Sequence, residues 1–239
     1  MGAYGRCPPG IYRRDRQAGQ VPNALAHTLR TMFGEGSSPS PAFVPRTEVQ
    51  PIDIRKGERM QTQLTQRQAN ARYRALLAKA TPGQIEEASE WYPERAGAIV
   101  DEIRENLGIT REVAASVLSA FSPNTSWAEN VKRALAFSRG DYTPHMYATP
   151  EKLNQILIEA WKALPGAKTN NFARAMSGDQ NAVVIDIWMM RAARMMRAKP
   201  TTRDYRILSA AVHKVASETG LTPRTAQALI WIVKRGNAA

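Results

Sequence analysis

From Leu64 to Arg235 the apolar side chains return every three or four residues, and no segment keeps a period of two. That spacing decides the fold, because an α-helix brings i+3 and i+4 to one face whereas a half-buried strand needs alternation. Leu64, Ala69, Tyr73, Leu76 and Leu77 mark a first helix that stops at Thr81-Pro82-Gly83, and a second runs from Pro82 to about Trp91. Pro93 is then expected in the first turn of a third helix, where its missing N–H is harmless; Ala96, Ile99, Val100, Ile103 and Leu107 share its face until Gly108. Thr110 is an N-cap for a helix in which Ala114, Val117, Leu118 and Phe121 leave almost no polar side, so it should be central and buried. Ser126 starts the next at residue 128, Thr149-Pro150 opens one to about Ala163, and a short helix carries Lys168. The last three are expected from Asp186 to about Arg197, over 202–219, and from Thr222-Pro223 to Arg235. The spacing thus predicts an all-α, compact body over residues 61–239, with nine or ten helices and no internal repeat.

Residues 1–60 read differently. Gly, Pro, Ser and Arg dominate, as in GRCPPG and GEGSSPSPAFVP, and charge is scattered without period, which predicts a disordered basic arm. Such an arm either grips phosphates or has no role of its own. Nine Lys and Arg stand there against five Asp and Glu, so the arm holds +4 of the chain's formal +12 and the body holds the other +8. A surplus of that size suits an anionic partner, nucleic acid before acidic protein or anionic lipid. The single cysteine, Cys7, excludes an internal disulfide framework and any four-cysteine metal centre, and fits a reducing cytoplasm. The three histidines, His27, His145 and His213, have no metal-binding spacing, so neither metal nor cofactor is expected. No apolar run approaches the roughly 18–20 residues of a membrane span.

The chemistry concentrates in Leu164–Arg191. A Pro-Gly turn leads to Lys168, a polar loop over 177–181 leads to Val183, Val184 and Ile185, and Asp186 follows where an apolar helix begins. A carboxylate at an N-cap is fixed by backbone N–H groups and the helix dipole, which suits it to face a developing oxocarbenium ion at a sugar C1′. Lys168 nearby could attack C1′ and form a Schiff base. The plainer reading makes Asp186 a cap and Lys168 a solvated side chain.

Upstream, Ser122, Asn124, Thr125 and Ser126 crowd one helix-to-helix corner, which is either an ordinary capping turn or a phosphate contact built on free N–H groups. Asn130, Lys132, Arg133 and Arg139 follow on what should be the exposed side. Trp127, Trp188, Trp231 and Tyr92 are the aromatic candidates to stack on an extruded base. Gln227 shares a helix face with Trp231 and either reads a base edge or ties helices together. Met189, Met190, Met195 and Met196 suit gap-filling in a core.

The segment LPGAKTNNFARAMSGDQNAVVIDIWMMR resembles the heart of the helix-hairpin-helix (endonuclease III-like) DNA glycosylase superfamily, whose pattern runs LPG-x-G-x-K-T-A followed by V-D-T-H-x-x-R. Lys168, Thr169, Asp186 and Arg191 fall on that family's catalytic lysine, its following threonine, its essential aspartate and its phosphate-side arginine, with no gap between lysine and aspartate. LSAFSPNTSW resembles the family's L-S-x-Q-T corner, matching at Ser122, Asn124 and Thr125. The likeness covers about residues 110–197. It implies an orthogonal glycosylase-like bundle, in a small divergent member of the type that phages encode. A monomer would act on double-stranded DNA, modified or not, in the host cytoplasm, with no membrane partner.

In that frame DNA would be held by Ser122, Asn124, Thr125, Trp127, Asn130, Lys132, Arg133, Gly166, Thr169 and Arg191. The flipped base would lie against Trp188, Gln227 and Trp231. Two positions depart from the pattern: Gly166-Ala167-Lys168 is two residues short of the hairpin's G-x-G, and Trp188 replaces the histidine. The short piece also fits a G-x-x-K-A element ahead of a deleted hairpin. Three outcomes stay open: a glycosylase with or without lyase action, an enzyme that alters the substituent of a hypermodified base, and a DNA-binding protein without chemistry.

Overall fold

A computed structural model describes residues 64–236, and the arm over 1–60 lies outside them. The described residues are all-helical: α1 Gln66–Leu77, α2 Pro82–Glu90, a π turn Trp91–Ala96, α3 Gly97–Leu107, α4 Arg111–Ala120, α5 Trp127–Ser138 and α6 Pro150–Glu159. A 3₁₀ turn Ala160–Ala163, α7 Gly166–Ser177, α8 Ile187–Ala192, α9 Thr202–Thr219 and α10 Pro223–Arg235 complete the order. Threonine or serine caps most starts. Thr65, Thr81 and Thr201 form reciprocal capping boxes, while Thr110, Ser126, Thr149 and Thr222 accept from the third residue on.

Two expectations about helix ends need correction. Pro93 does not start a new helix: α2 continues through the π turn into α3 as one rod. Proline has no N–H to give and crowds the carbonyl four residues back, and the wider turn accommodates both defects. The helix after Asp186 stops at Ala192, five residues before Arg197, because Arg194 turns left-handed at φ +53°. Met195 N–H then returns to Met190 O (2.9 Å) and Arg194 N–H to Arg191 O (3.0 Å), which closes the end as a Schellman motif.

The interior holds two apolar clusters. The larger gathers α2 through α7, with α4 buried along most of its length, as its composition predicted. The smaller packs α1, α8 and α9 around Tyr73, Met189, Met190, Leu208 and Val212. Two elements divide them. In the extended segment 182–185, Ala182 and Val184 face the larger cluster while Val183 and Ile185 face the smaller, the alternation that extended backbone imposes. In α10, Ala228, Leu229 and Ile232 serve one cluster and Ala226 and Ile230 the other. Asp186 follows the extended segment, so it stands at the seam.

Candidate active site

Asp186 is half-buried and takes three N–H groups. Its Oδ1 accepts from the backbone N–H of Trp188 and of Met189, both at 2.9 Å, and its Oδ2 accepts from the indole Nε1–H of Trp231 at 2.9 Å. The cap fixes the start of α8, and the indole bond ties α8 to α10 across the seam. Among the described residues no lysine, arginine or histidine pairs with this carboxylate.

Three tyrosines surround it instead. Tyr73 OH donates to Met189 O (3.1 Å), and Tyr92 OH donates to Gln227 Oε1 (2.7 Å). Tyr205 OH bonds Val183 O (2.8 Å) and Ala167 O (3.2 Å), and accepts from Ile185 N–H (3.3 Å) and Asn171 Nδ2 (3.0 Å). Burial raises the pKa of all three phenols, and the negative charge of Asp186 raises it further. They stay neutral donors around a single anion.

Gln227 is 5% exposed and receives the Tyr92 phenol, so it does tie helices together; Trp231, one turn on, carries the bond to Asp186. Arg235 lies over the Trp231 ring and Arg191 over the Trp188 ring, each at 4.7 Å to the centroid. Both half-buried indoles therefore present a face already covered by a guanidinium.

Lys168 is exposed in the first turn of α7 and makes no hydrogen bond or ion pair among the described residues, so nothing joins it to Asp186. It lines an open cleft of about 430 Å³ with Pro165, Gly166, Thr201, Tyr205 and Arg206. Gly166 makes the turn into α7 at φ +77°, and Pro165, the capping residue, offers α7 no side-chain acceptor. Thr169 is 6% exposed, and its hydroxyl turns back to Pro165 O and Gly166 O. Its side chain holds the turn from inside and is not offered to a partner.

The corner at 122–127 is a hydrogen-bonded turn. Ser122 Oγ donates to Ser119 O (2.8 Å), Thr125 Oγ1 bonds Phe121 O (2.6 Å), and Asn124, at φ +58°, donates to Tyr147 OH (3.1 Å). Asn124 and Lys132 are exposed, and Arg133 is paired with Glu129 at 2.7 Å. Asn130 corrects the sequence reading: it is 2% exposed and faces inward with Ala134 and Phe137, because it falls on the apolar stripe of α5. Rings connect the corner to the seam, from Trp127 to Phe172 (6.5 Å) to Tyr92 (6.4 Å), and the Tyr92 phenol reaches Gln227.

Met196 is a second correction. It is 81% exposed, not core filling, since the turn that ends α8 buries Met195 and sends Met196 outward. The run from Arg191 to Arg206 holds six cations against the single acid Asp204 and adds a basic strip to the site beyond Arg191. A charge count along that window was the signal for it. Tyr92 is among the aromatic candidates and Tyr73 lies on the apolar face of the first helix, but their meeting with Tyr205 around Asp186 has no local signal, because the three lie far apart in the chain.

Among the described residues, fold and site together define an all-helical body with a fixed carboxylate, paired with no cation, at the seam of two cores and next to a basic surface. The chain belongs to a family of unknown function (DUF7178), whose model matches residues 55–238. No curated protein and no solved structure matches it. Among the described residues no helix is long and apolar enough to cross a membrane, and no group of three or more His, Cys, Asp or Glu could hold a metal ion.

Proposed function

We propose that the chain is a DNA-binding, base-flipping enzyme of the DNA glycosylase type, cleaving the N-glycosidic bond of a modified or damaged base, with Asp186 as the working carboxylate. One observation carries the reading: Asp186 is held in place by three N–H donors and has no cationic partner among the described residues, so its charge is pre-oriented and not paired there. That arrangement suits a site where positive charge develops only in the transition state. The C1′–N bond breaks with its electron pair leaving on the base, the sugar carries the resulting positive charge opposite the carboxylate, and water adds at C1′ while its proton goes to the base. Lys168, exposed and apart from Asp186 in hydrogen bonding, serves as a phosphate contact at the cleft and not as the nucleophile. The protein acts as a monomer on double-stranded DNA in a reducing cytoplasm, consistent with its net charge of +12 and its single cysteine.

A DNA-binding protein of this fold without chemistry is the second reading, and the Trp231 bond favours it, because that bond occupies Oδ2 and gives Asp186 a structural task. Incubation with duplexes carrying a panel of modified bases, followed by mass spectrometry and borohydride trapping, separates the two. Released base that disappears in Asp186→Asn while DNA binding persists is the expected result. Salt-sensitive binding with neither released nor altered base establishes the second reading, and a base altered in its substituent points to modification chemistry.

A further inference from the structure

The turn that ends α8 carries an arginine where the backbone favours glycine. Arg194 holds φ +53° at the left-handed position of the Schellman closure, a conformation that costs an L-residue with a Cβ. The side chain returns nothing to the fold, for it is exposed and makes no hydrogen bond or ion pair among the described residues. Two residues on, Met196 is the most exposed large apolar side chain among the described residues, at 81%. Lys199 and Arg206 are exposed and equally unpaired, and the one acid in the run, Asp204, is buried against Arg197 (3.0 Å) and Thr201.

This turn is anchored. Arg72 donates to Ala193 O from α1, Met195 is buried in the smaller core, and Arg197 is held by Asp204. A fixed piece of chain therefore projects one slim, unbranched apolar tip among several uncompensated positive charges. The left-handed turn itself serves the fold, but an arginine kept there, where glycine would sit at lower cost and the side chain makes no hydrogen bond or ion pair among the described residues, points to a ligand.

We infer that the 193–199 turn is a nucleic-acid-docking element in which Arg194 and Lys199 take backbone phosphates and Met196 enters the groove as an apolar wedge. The inference rests on the DNA reading of the Asp186 site. Charge selects the occupant, since closely spaced unpaired cations match a phosphate ladder, and a methionine wedge between base steps is a known way to kink a duplex. Reach agrees with it. The six residues of α8 span about 9 Å, at roughly 1.5 Å per residue, so the turn stands about three base-pair rises of roughly 3.4 Å from Asp186. The cleft residues Pro200 and Thr201 follow the turn directly and continue the basic strip to Arg206 and Lys168.

The test uses the full chain with a labelled duplex carrying 2-aminopurine, titrated over a salt series, and in parallel with phosphatidylserine/phosphatidylcholine vesicles. The Arg194→Gln/Lys199→Gln double variant should lower the slope of log affinity against log salt by roughly 1.8, at about 0.9 per phosphate. Met196→Ala should leave the slope unchanged and reduce the 2-aminopurine fluorescence rise several-fold. Arg194→Gly separates ligand binding from folding: its thermal midpoint should hold or rise while DNA affinity falls several-fold. Wild-type slope and fluorescence in these variants, with the parent protein binding DNA, overturn the docking element and leave the DNA reading standing. A parent protein that binds no duplex at low salt overturns both. Vesicle binding that the variants lose, with DNA binding untouched, assigns the turn to a lipid surface and overturns the inference.

Discussion

The bond between Asp186 and Trp231 can be weighed by a double-mutant cycle. Oδ2 accepts the indole N–H at 2.9 Å in a half-buried setting, and hydrogen bonds to charged groups contribute roughly 1.5–3 kcal/mol, with partial solvation placing this one near the lower end. Asp186→Asn keeps the cap of α8, since asparagine caps as well as aspartate, but turns an amide N–H₂ toward the indole N–H and loses about 2 kcal/mol. Trp231→Phe removes the same bond and the stacking of Arg235, also about 2 kcal/mol. Independent effects would sum to about 4 kcal/mol, whereas a shared bond makes the double variant cost only about 2.5, a coupling of about 1.5 kcal/mol. Urea unfolding followed by far-ultraviolet circular dichroism, which does not depend on tryptophan emission, gives the four stabilities. Additivity to within about 0.5 kcal/mol would refute the bond across the seam as a stabilising contact.

Elsewhere the perturbations are local. Ala160 ends α6 at φ +52° and ψ −133°, a region that suits glycine, so Ala160→Gly should gain up to about 1 kcal/mol in urea unfolding. Gly97 sits where an added Cβ would stand 3.0 Å from Arg111 Nη2 and 3.3 Å from Tyr92 O, and Gly97→Ala should lose about 1–2 kcal/mol because the second of these is backbone. Asp204 titrates low: burial pushes its pKa up, but the Thr201 N–H and hydroxyl and the Arg197 guanidinium outweigh burial and hold it below the ordinary value. A depressed folded pKa gives stability that is fully present above the unfolded pKa of about 3.9 and is lost as pH falls through the folded value. The thermal midpoint of Asp204→Asn should therefore lie below wild type at neutral pH, and the two should converge as pH falls below about 4.

Local signals were legible and distant ones were not. The threonine and serine caps, the buried α4, and Asp186 at a helix start all follow from neighbours within four residues in sequence. The π turn was missed because Pro93 satisfies the rule for a first turn as well as the rule for a widened one. The early end of α8 was missed because Arg194 occupies a position where a glycine would have announced it. Asn130 was placed outward on its polarity, although its spacing from Ala134 and Phe137 already put it on the apolar stripe. The bond from Trp231 to Asp186 spans 45 residues, and periodicity within one helix says which face Trp231 shares with Gln227 but not what that face meets.

Capping alone does not account for aspartate at 186; the second oxygen, which accepts the Trp231 indole N–H, is what serine or threonine would lack. Among the described residues, every other helix start that is capped by a side chain uses threonine or serine, at Thr65, Thr81, Thr110, Ser126, Thr149, Thr201 and Thr222. Those hydroxyls accept the same N–H groups without placing a charge in a half-buried seam lined by three neutral phenols, so capping alone does not call for a carboxylate. Asp186→Ser isolates the difference. The hydroxyl keeps the cap and loses the indole bond, so stability should fall by no more than about 2 kcal/mol and DNA affinity should be unchanged. Loss of base release by two or more orders of magnitude, as for removal of a transition-state charge, is the expected result. Release at the parent rate would assign the carboxylate to the fold and move the chemistry elsewhere on the basic surface.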